Sequence, residues 1–342
     1  MGDGIENPAN IRLLQSVAQG LGADCLLRLA APTVAQLHTD GDLDAPRFQI
    51  IDAATGLLPA YARRIALETL PKAKDVYSYR AGPRFALMVG NERRGLTRSF
   101  LDAATDAVAI PMHSARLSSL NVAAAAAVGL YYMMRAPAAP LRAHGNPQSR
   151  RPALLLSGVR EHYELGSAIR SAAAFGWQQT YVEDTEGVWF GVDRSRHAEG
   201  RAAARRARNR IRLLPCAPTT HYDVDEAIVV TASEGPPLSK LNLARGHRQL
   251  LALPAHDNAH LQAETWQRIG AKVSLASLQL PPSARSWAYR LYATIAMAEC
   301  ARQVGRAGPE SHQRRGQRYT FAPAAQTLGA GESVTIDELT DY

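Results

Sequence analysis

Residues 85–96 read FALMVGNERRGL, an apolar run that stops abruptly in Gly-Asn-Glu-Arg-Arg-Gly. Gly90 and Gly95 bracket a carboxylate, Glu92, and two arginines, which makes a loop on which something could sit. A tight turn beside ordinary core packing has the same local composition. Further along, Ser118, Ser119 and Asn121 lead into the Ala-rich stretch NVAAAAAVGLYYMM, and either serine suits the N-cap of a helix there. A third feature is DRSRHAEGRAAARRARNRIRLL at 193–214, with eight arginines between 194 and 212. On helical spacing Arg201, Arg205 and Arg208 share one face. That stripe suits a phosphate track with salt-sensitive binding, or a solvated charged face.

The elements that must carry these groups alternate in type. DCLLRLA (24–30), FALMVG (85–90) and DAVAIP (106–111) are strand candidates in the first half, and ALLLSG (153–158), TYVED (180–184), AIVVT (227–231) and QLLALP (249–254) in the second. Ala-rich helical stretches separate them, which implies an α/β fold with a mostly parallel sheet flanked by helices. The Pro-, Gly- and Arg-rich APAAPLRAHGNPQSRRP marks a boundary. The expected organisation is a unit over 1–136, a linker over 137–151, a second unit over 152–305 and a flexible tail over 306–342.

The net charge of +8 and pI of about 9.6 favour a polyanionic partner, nucleic acid first, or a merely basic soluble protein. Cys25, Cys216 and Cys300 stand far apart with no C-x-x-C pair, so neither a metal site nor a disulfide framework is suggested. A reducing, cytoplasmic setting fits. MGDGIENPAN lacks the basic and apolar regions of a secretory signal, and the apolar stretch 120–134 is short for a membrane span.

Three overlays relate the halves. NPANIRLLQSVAQGLGADCLLRL (7–29) lies over HYELGSAIRSAAAFGWQQTYVED (162–184), and PRFALMVGNERRGL over HRQLLALPAHDNAHL. The helix after Ser119 lies over SWAYRLYATIAMAE (286–299). A duplicated α/β unit explains all three, with chance likeness of Ala-rich helices as the alternative.

VGNERRGL (89–96), AIPM (109–112) and SSLNVAAAAAVGLYY (118–132), in that order, resemble motifs of the SpoU–TrmH family within the SPOUT superfamily of S-adenosylmethionine-dependent RNA methyltransferases. The resemblance covers nearly all of 5–135 and, more faintly, 152–303. It implies a trefoil-knotted sheet in each of two tandem units, the second degenerate. It also implies a S-adenosylmethionine pocket in the first unit, formed by Gly90, Asn91, Glu92, Gly95, Ile110, Met112 and Leu120. Bare backbone at the glycines would meet the adenosine, and Ile110 and Met112 would wall the adenine. Ser119 and Asn121 would lie close to the methyl group and the target ribose, and Asn10 would contact RNA. Glu92 would hold loop backbone or an arginine, with a surface ion pair to Arg93 or Arg94 as the plainer alternative. The stretch from Ile110 to Leu120 is one residue longer than usual for the family. No separate RNA-binding domain is expected ahead of the catalytic unit.

The family's first motif carries an arginine that assists attack by the ribose hydroxyl. Counted from Asn10 in NPANIRLLQS, that position holds Ser16, with Arg12 one helical turn earlier. The second half shows the opposite loss. In YELGSAIRSAAAFG the overlay puts Gly166 and Arg170 on the family's Gly and Arg, with Glu164 at the Asn position, while PAHDNA (254–259) replaces the cofactor loop. A guanidinium stays protonated, so Arg170 would grip a phosphate and steady a developing alkoxide rather than act as a base. It could equally be a surface helix residue.

The resulting expectation is a monomer packed as an intramolecular pseudo-dimer, with one composite site that methylates a ribose 2′-hydroxyl of rRNA or tRNA. No metal and no membrane are involved. The alternatives are an inactive RNA-binding relative and a methyltransferase for a small molecule or peptide.

Overall fold

The computed structural model describes residues 1–30, 32–35, 47–51, 60–112, 120–135, 151–191, 211–216, 222–243, 248–255, 272–304 and 334–335. The chain divides into two compact units. The first comprises Met1–Pro111, Leu120–Leu141 and Leu280–Leu291; the second comprises Met112–Ser119, Arg142–Gln279 and Tyr292–Tyr342. Residues 280–291, which the linear halves assign to the second unit, therefore belong with the first.

The first unit runs β1 (Gly2–Ile5), α1 (Pro8–Gly20), β2 (Cys25–Leu29), β3 (Phe48–Ile50), β4 (Arg63–Leu67), β5 (Lys74–Asp75), β6 (Phe85–Gly90), α2 (Arg98–Ala103), β7 (Asp106–Ala109) and α3 (Val122–Met133). Its described strands form one parallel sheet in the order β3-β2-β1-β6-β4-β7-β5. β6 lies inside that sheet with Ala86, Leu87, Met88 and Val89 all buried, as a strand covered on both faces must be. α1 starts where Asn7 Oδ1 accepts the Ala9 N–H at 2.8 Å and Pro8 takes a first-turn position. It stops at Gly22, whose φ of +69° suits a residue without Cβ. α3 is apolar on nearly every face and is correspondingly buried.

The second unit runs β8 (Ala153–Ser157), α4 (His162–Ala174), β9 (Gln179–Glu183), β10 (Arg212–Cys216), β11 (Glu226–Thr231), β12 (Gln249–Pro254), β13 (Lys272–Ser277), α5 (Tyr289–Val304), whose first three residues are grouped with the first unit, and β14 (Val334–Thr335). Its sheet order is β13-β11-β12-β8-β9-β10-β14, parallel except for the β10–β14 pair. The two orders match strand for strand: β7-β4-β6-β1-β2-β3 in one, β13-β11-β12-β8-β9-β10 in the other. Only β5 and β14, each on an edge, lack a counterpart among the described residues. The expected α/β architecture with mostly parallel sheets is the one observed. Among the described residues no helix is long and apolar enough to cross a membrane.

Candidate functional site

The loop at the carboxyl end of β6 is closed by its own backbone. Asn91 and Gly95 exchange N–H to C=O bonds of 3.0 and 2.9 Å, and Gly95 turns the chain with φ +70°. A Cβ on Gly90 would overlap the Gly95 carbonyl carbon and the Leu96 nitrogen, so this position admits only glycine. A Cβ on Gly95 would come to 2.6 Å from Glu68 Oε2, and the same carboxylate accepts the Leu96 N–H at 3.3 Å. Asn91 is structural within this loop. Its Oδ1 accepts the Arg93 and Arg94 N–H groups at 2.9 and 3.1 Å, and its Nδ2 donates to Gly4 O at 2.7 Å.

The exit of the loop is tied to β1. Asp3, fully buried, accepts both the Thr97 N–H and the Thr97 hydroxyl at 2.7 Å on Oδ2. Its Oδ1 accepts Arg28 Nε at 2.6 Å in an ion pair. A buried carboxylate with one cation and two further donors is a satisfied one, and it fixes where the loop leaves the sheet.

Three side chains far apart in sequence meet behind the loop. Asn121 is the N-cap of α3, its Oδ1 accepting the Ala123 and Ala124 N–H groups at 3.0 and 3.2 Å. That fixes the amide's orientation, and its Nδ2 donates to Asn10 Oδ1 at 2.8 Å. Asn10 Nδ2 in turn donates to Glu92 Oε1 at 2.6 Å. Every donor in this relay points the same way, from the positive end of α3 toward a carboxylate, an arrangement in which each bond polarises the next.

The structure places the expected site residues as follows. The helix cap is Asn121, whose Oδ1 accepts two first-turn amides; Ser118 and Ser119 lie outside the described residues. Glu92 is held by Asn10; Arg94 pairs with Glu6 instead. Asn10, expected at RNA, is 3% exposed and bonded on both sides within the relay. Ile110 and Leu120 are buried at 7% and 8% exposure on either side of the undescribed 113–119, and Met112 is half-buried. Ile110 and Leu120 are both apolar, which is the chemistry the face of an adenine ring would need. Sequence reasoning missed Asp3, Arg28, Glu68 and Thr97; a charged residue between two glycines at the head of a strand, in GDGI, was the one available signal.

In the second unit Arg170 lies half-buried on α4, whose Gly166 is buried. Pro254 ends β12 where Gly90 ends β6. Arg201, Arg205 and Arg208 lie outside the described residues, as do 256–259 of PAHDNA. Among the described residues no cluster of His, Cys, Asp or Glu could hold a metal ion.

Residues 2–131 match the model of the SpoU rRNA Methylase family, which bears out the resemblance read from the motifs. Among solved structures, the chain is similar to the SpoU methyltransferase AviRb from Streptomyces viridochromogenes, at 22% identity over 38% of this chain and 56% of that one, with a TM-score of 0.33. It is similar to the TrmH/SpoU tRNA modifying enzyme of A. aeolicus at 21% identity, 38% and 70% coverage and a TM-score of 0.33. It is also similar to an AdoMet-bound rRNA methyltransferase from Sinorhizobium meliloti at 20% identity, 38% and 53% coverage and a TM-score of 0.32. No curated protein matches the chain.

Proposed function

We propose that this protein transfers a methyl group from S-adenosylmethionine to RNA, and that the acceptor is a ribose 2′-hydroxyl of rRNA or tRNA met in the cytoplasm. The observation that carries the reading is the Asn121–Asn10–Glu92 relay behind a glycine-closed loop, inside the segment that matches the SpoU rRNA Methylase family.

When bound, S-adenosylmethionine supplies an electrophilic methyl group on a sulfonium. The chain's own task is positioning. Gly90 and Gly95 let the loop close on itself, Ile110 and Leu120 would offer apolar contact, and Asp3 with Glu68 holds the loop in place. A ribose hydroxyl is a weak nucleophile whose proton must leave as the new bond forms. The first unit has Ser16 where a cation would assist, and on this reading Arg170 carries that role by gripping a neighbouring phosphate and steadying the alkoxide. The Arg-rich 193–214 stretch and the net charge of +8 support a polyanionic substrate.

The test is to incubate the full chain with total RNA and methyl-labelled S-adenosylmethionine, then digest the RNA to nucleosides. The reading expects label in 2′-O-methylated nucleosides. Label on a base corrects the acceptor; label in no RNA, with the cofactor bound, favours the small-molecule or peptide alternative. Ser16 is the specific observation that favours the inactive RNA-binding reading, which expects neither transfer nor need of the cofactor.

A further inference from the structure

The segment that matches the family ends at residue 131, yet the first compact unit also contains residues 280–291. These residues are built onto α1. Trp287, 2% exposed, donates its indole N–H to Ser16 O at 3.0 Å, and Ser283 Oγ donates to Gly20 O at 2.7 Å. The second bond satisfies one of the carbonyls that a helix end leaves without an intrahelical partner. Glycine is disfavoured in a helix relative to alanine, but at position 20 a Cβ would overlap the Trp287 ring at Nε1, Cε2 and Cζ2. The sequence of α1 is therefore fitted to a tryptophan that arrives more than two hundred and fifty residues later, at a sequence separation of 271.

The other end of α1 carries Asn10, the centre of the relay to Glu92 and Asn121. One rigid helix thus links the indole to the loop. Asn10 reaches Glu92 over 2.6 Å, a distance that tolerates little shift or rotation of the helix. Ser16 and Gly20 are four residues apart on one face, so the indole and the serine together grip the last turns at two points.

We infer that residues 280–291 are an intramolecular partner that completes the first unit, and that Trp287 is a positioning residue which acts through α1 and Asn10 on the 90–97 loop. The cofactor consequence rests on the proposed function; the docking and its effect on the loop do not.

Two measurements on the full chain keep these parts separate. In hydrogen exchange followed by mass spectrometry, Trp287→Ala should speed exchange of amides in 90–97 by about tenfold, within the range by which a substitution along a connected path shifts coupling. Peptides from β8 and β12 should stay unchanged, and Trp287→Phe should restore most of the protection by refilling the space over Gly20. Unchanged loop exchange in Trp287→Ala overturns the positioning role. The second measurement is a thermal-melting cycle. Gly20→Ala should lower the melting temperature in the wild-type background and raise or leave it unchanged in Trp287→Ala, where no indole opposes the new methyl. An equal loss in both backgrounds overturns the docking. Calorimetry with S-adenosylmethionine should then show weaker binding in Trp287→Ala, and no further weakening when that change is added to Asn10→Ala. Absence of binding by the wild-type chain counts against the proposed function alone, because exchange and melting read the inference without the cofactor.

Discussion

Asp3 and Ser157 hold the same place in two sheets of the same strand order. Asp3 stands opposite Gly90 on one side and Arg28 on the other; Ser157 stands opposite Pro254 and Glu183. In the first unit this row is an ion pair that anchors Thr97 and a loop that only glycine permits. In the second it is a carboxyl without an ion-pair partner across the row, where Ser157 Oγ donates to Glu183 Oε2 at 2.7 Å and burial pushes the Glu183 carboxyl above its ordinary range, the serine pulling it partly back. The acid has moved one strand over, the cation is gone and proline ends β12. Both sheets are held by the same kind of apolar strand interior, so a handful of positions at the carboxyl ends can change their chemistry while the topology stays. Under the proposed function, only the first unit would hold the methyl donor.

The comparison can be pressed in four places. Arg170→Ala should lower turnover by roughly 10²–10³, the usual worth of an oxyanion contact, with cofactor affinity unchanged, whereas Ser16→Ala should leave turnover intact. Single-turnover kinetics with RNA would read this, and equal turnover in Arg170→Ala would remove the second unit from the reaction. Next, Asp3→Ala breaks a buried ion pair and should cost about 3 kcal/mol, near the lower end for such losses because Arg28 is partly solvated. Ser157→Ala removes one hydrogen bond and should cost about 1 kcal/mol. Denaturant unfolding compares them, and equal costs would mean the two rows are not chemically distinct.

Asn10→Ala leaves an amide and a carboxylate without their partner and should destabilise the first unit by about 1–3 kcal/mol while weakening cofactor binding. The smallest effect expected is at Glu183. A carboxyl raised in the folded state gives stability that is full below its unfolded value and is lost as pH rises through the folded value. Glu183→Gln has no such titration, so its melting temperature should gain on the wild type as pH rises out of the ordinary carboxylate range. A constant difference across that range would contradict the burial argument.

How much of this was legible beforehand follows from what each signal depends on. The strands at 85–90, 153–157, 226–231 and 249–254 are continuous apolar runs, and strands buried on both faces have to be. β1 has no apolar run to announce it, since Gly2 and Gly4 flank a charged Asp3; parallel neighbours on both sides impose the strand. β4 opens with two arginines and β13 carries exposed Leu275, so neither shows a clean pattern. The glycine-framed loop was visible because its demands are local. The relay was not, because Asn10 lies 82 residues from Glu92 and 111 from Asn121, and no local rule pairs amides at such distances. Trp287 illustrates the same limit: its partner Gly20 looks like an ordinary helix end until the indole is in view.

The most direct measurement is a calorimetric titration of S-adenosylmethionine into the full chain and into Gly90→Val. The account expects a single site per chain that disappears in Gly90→Val, while circular dichroism retains the signal of the second sheet. Binding of two equivalents, undiminished binding in Gly90→Val, or no binding to the unaltered chain would contradict it.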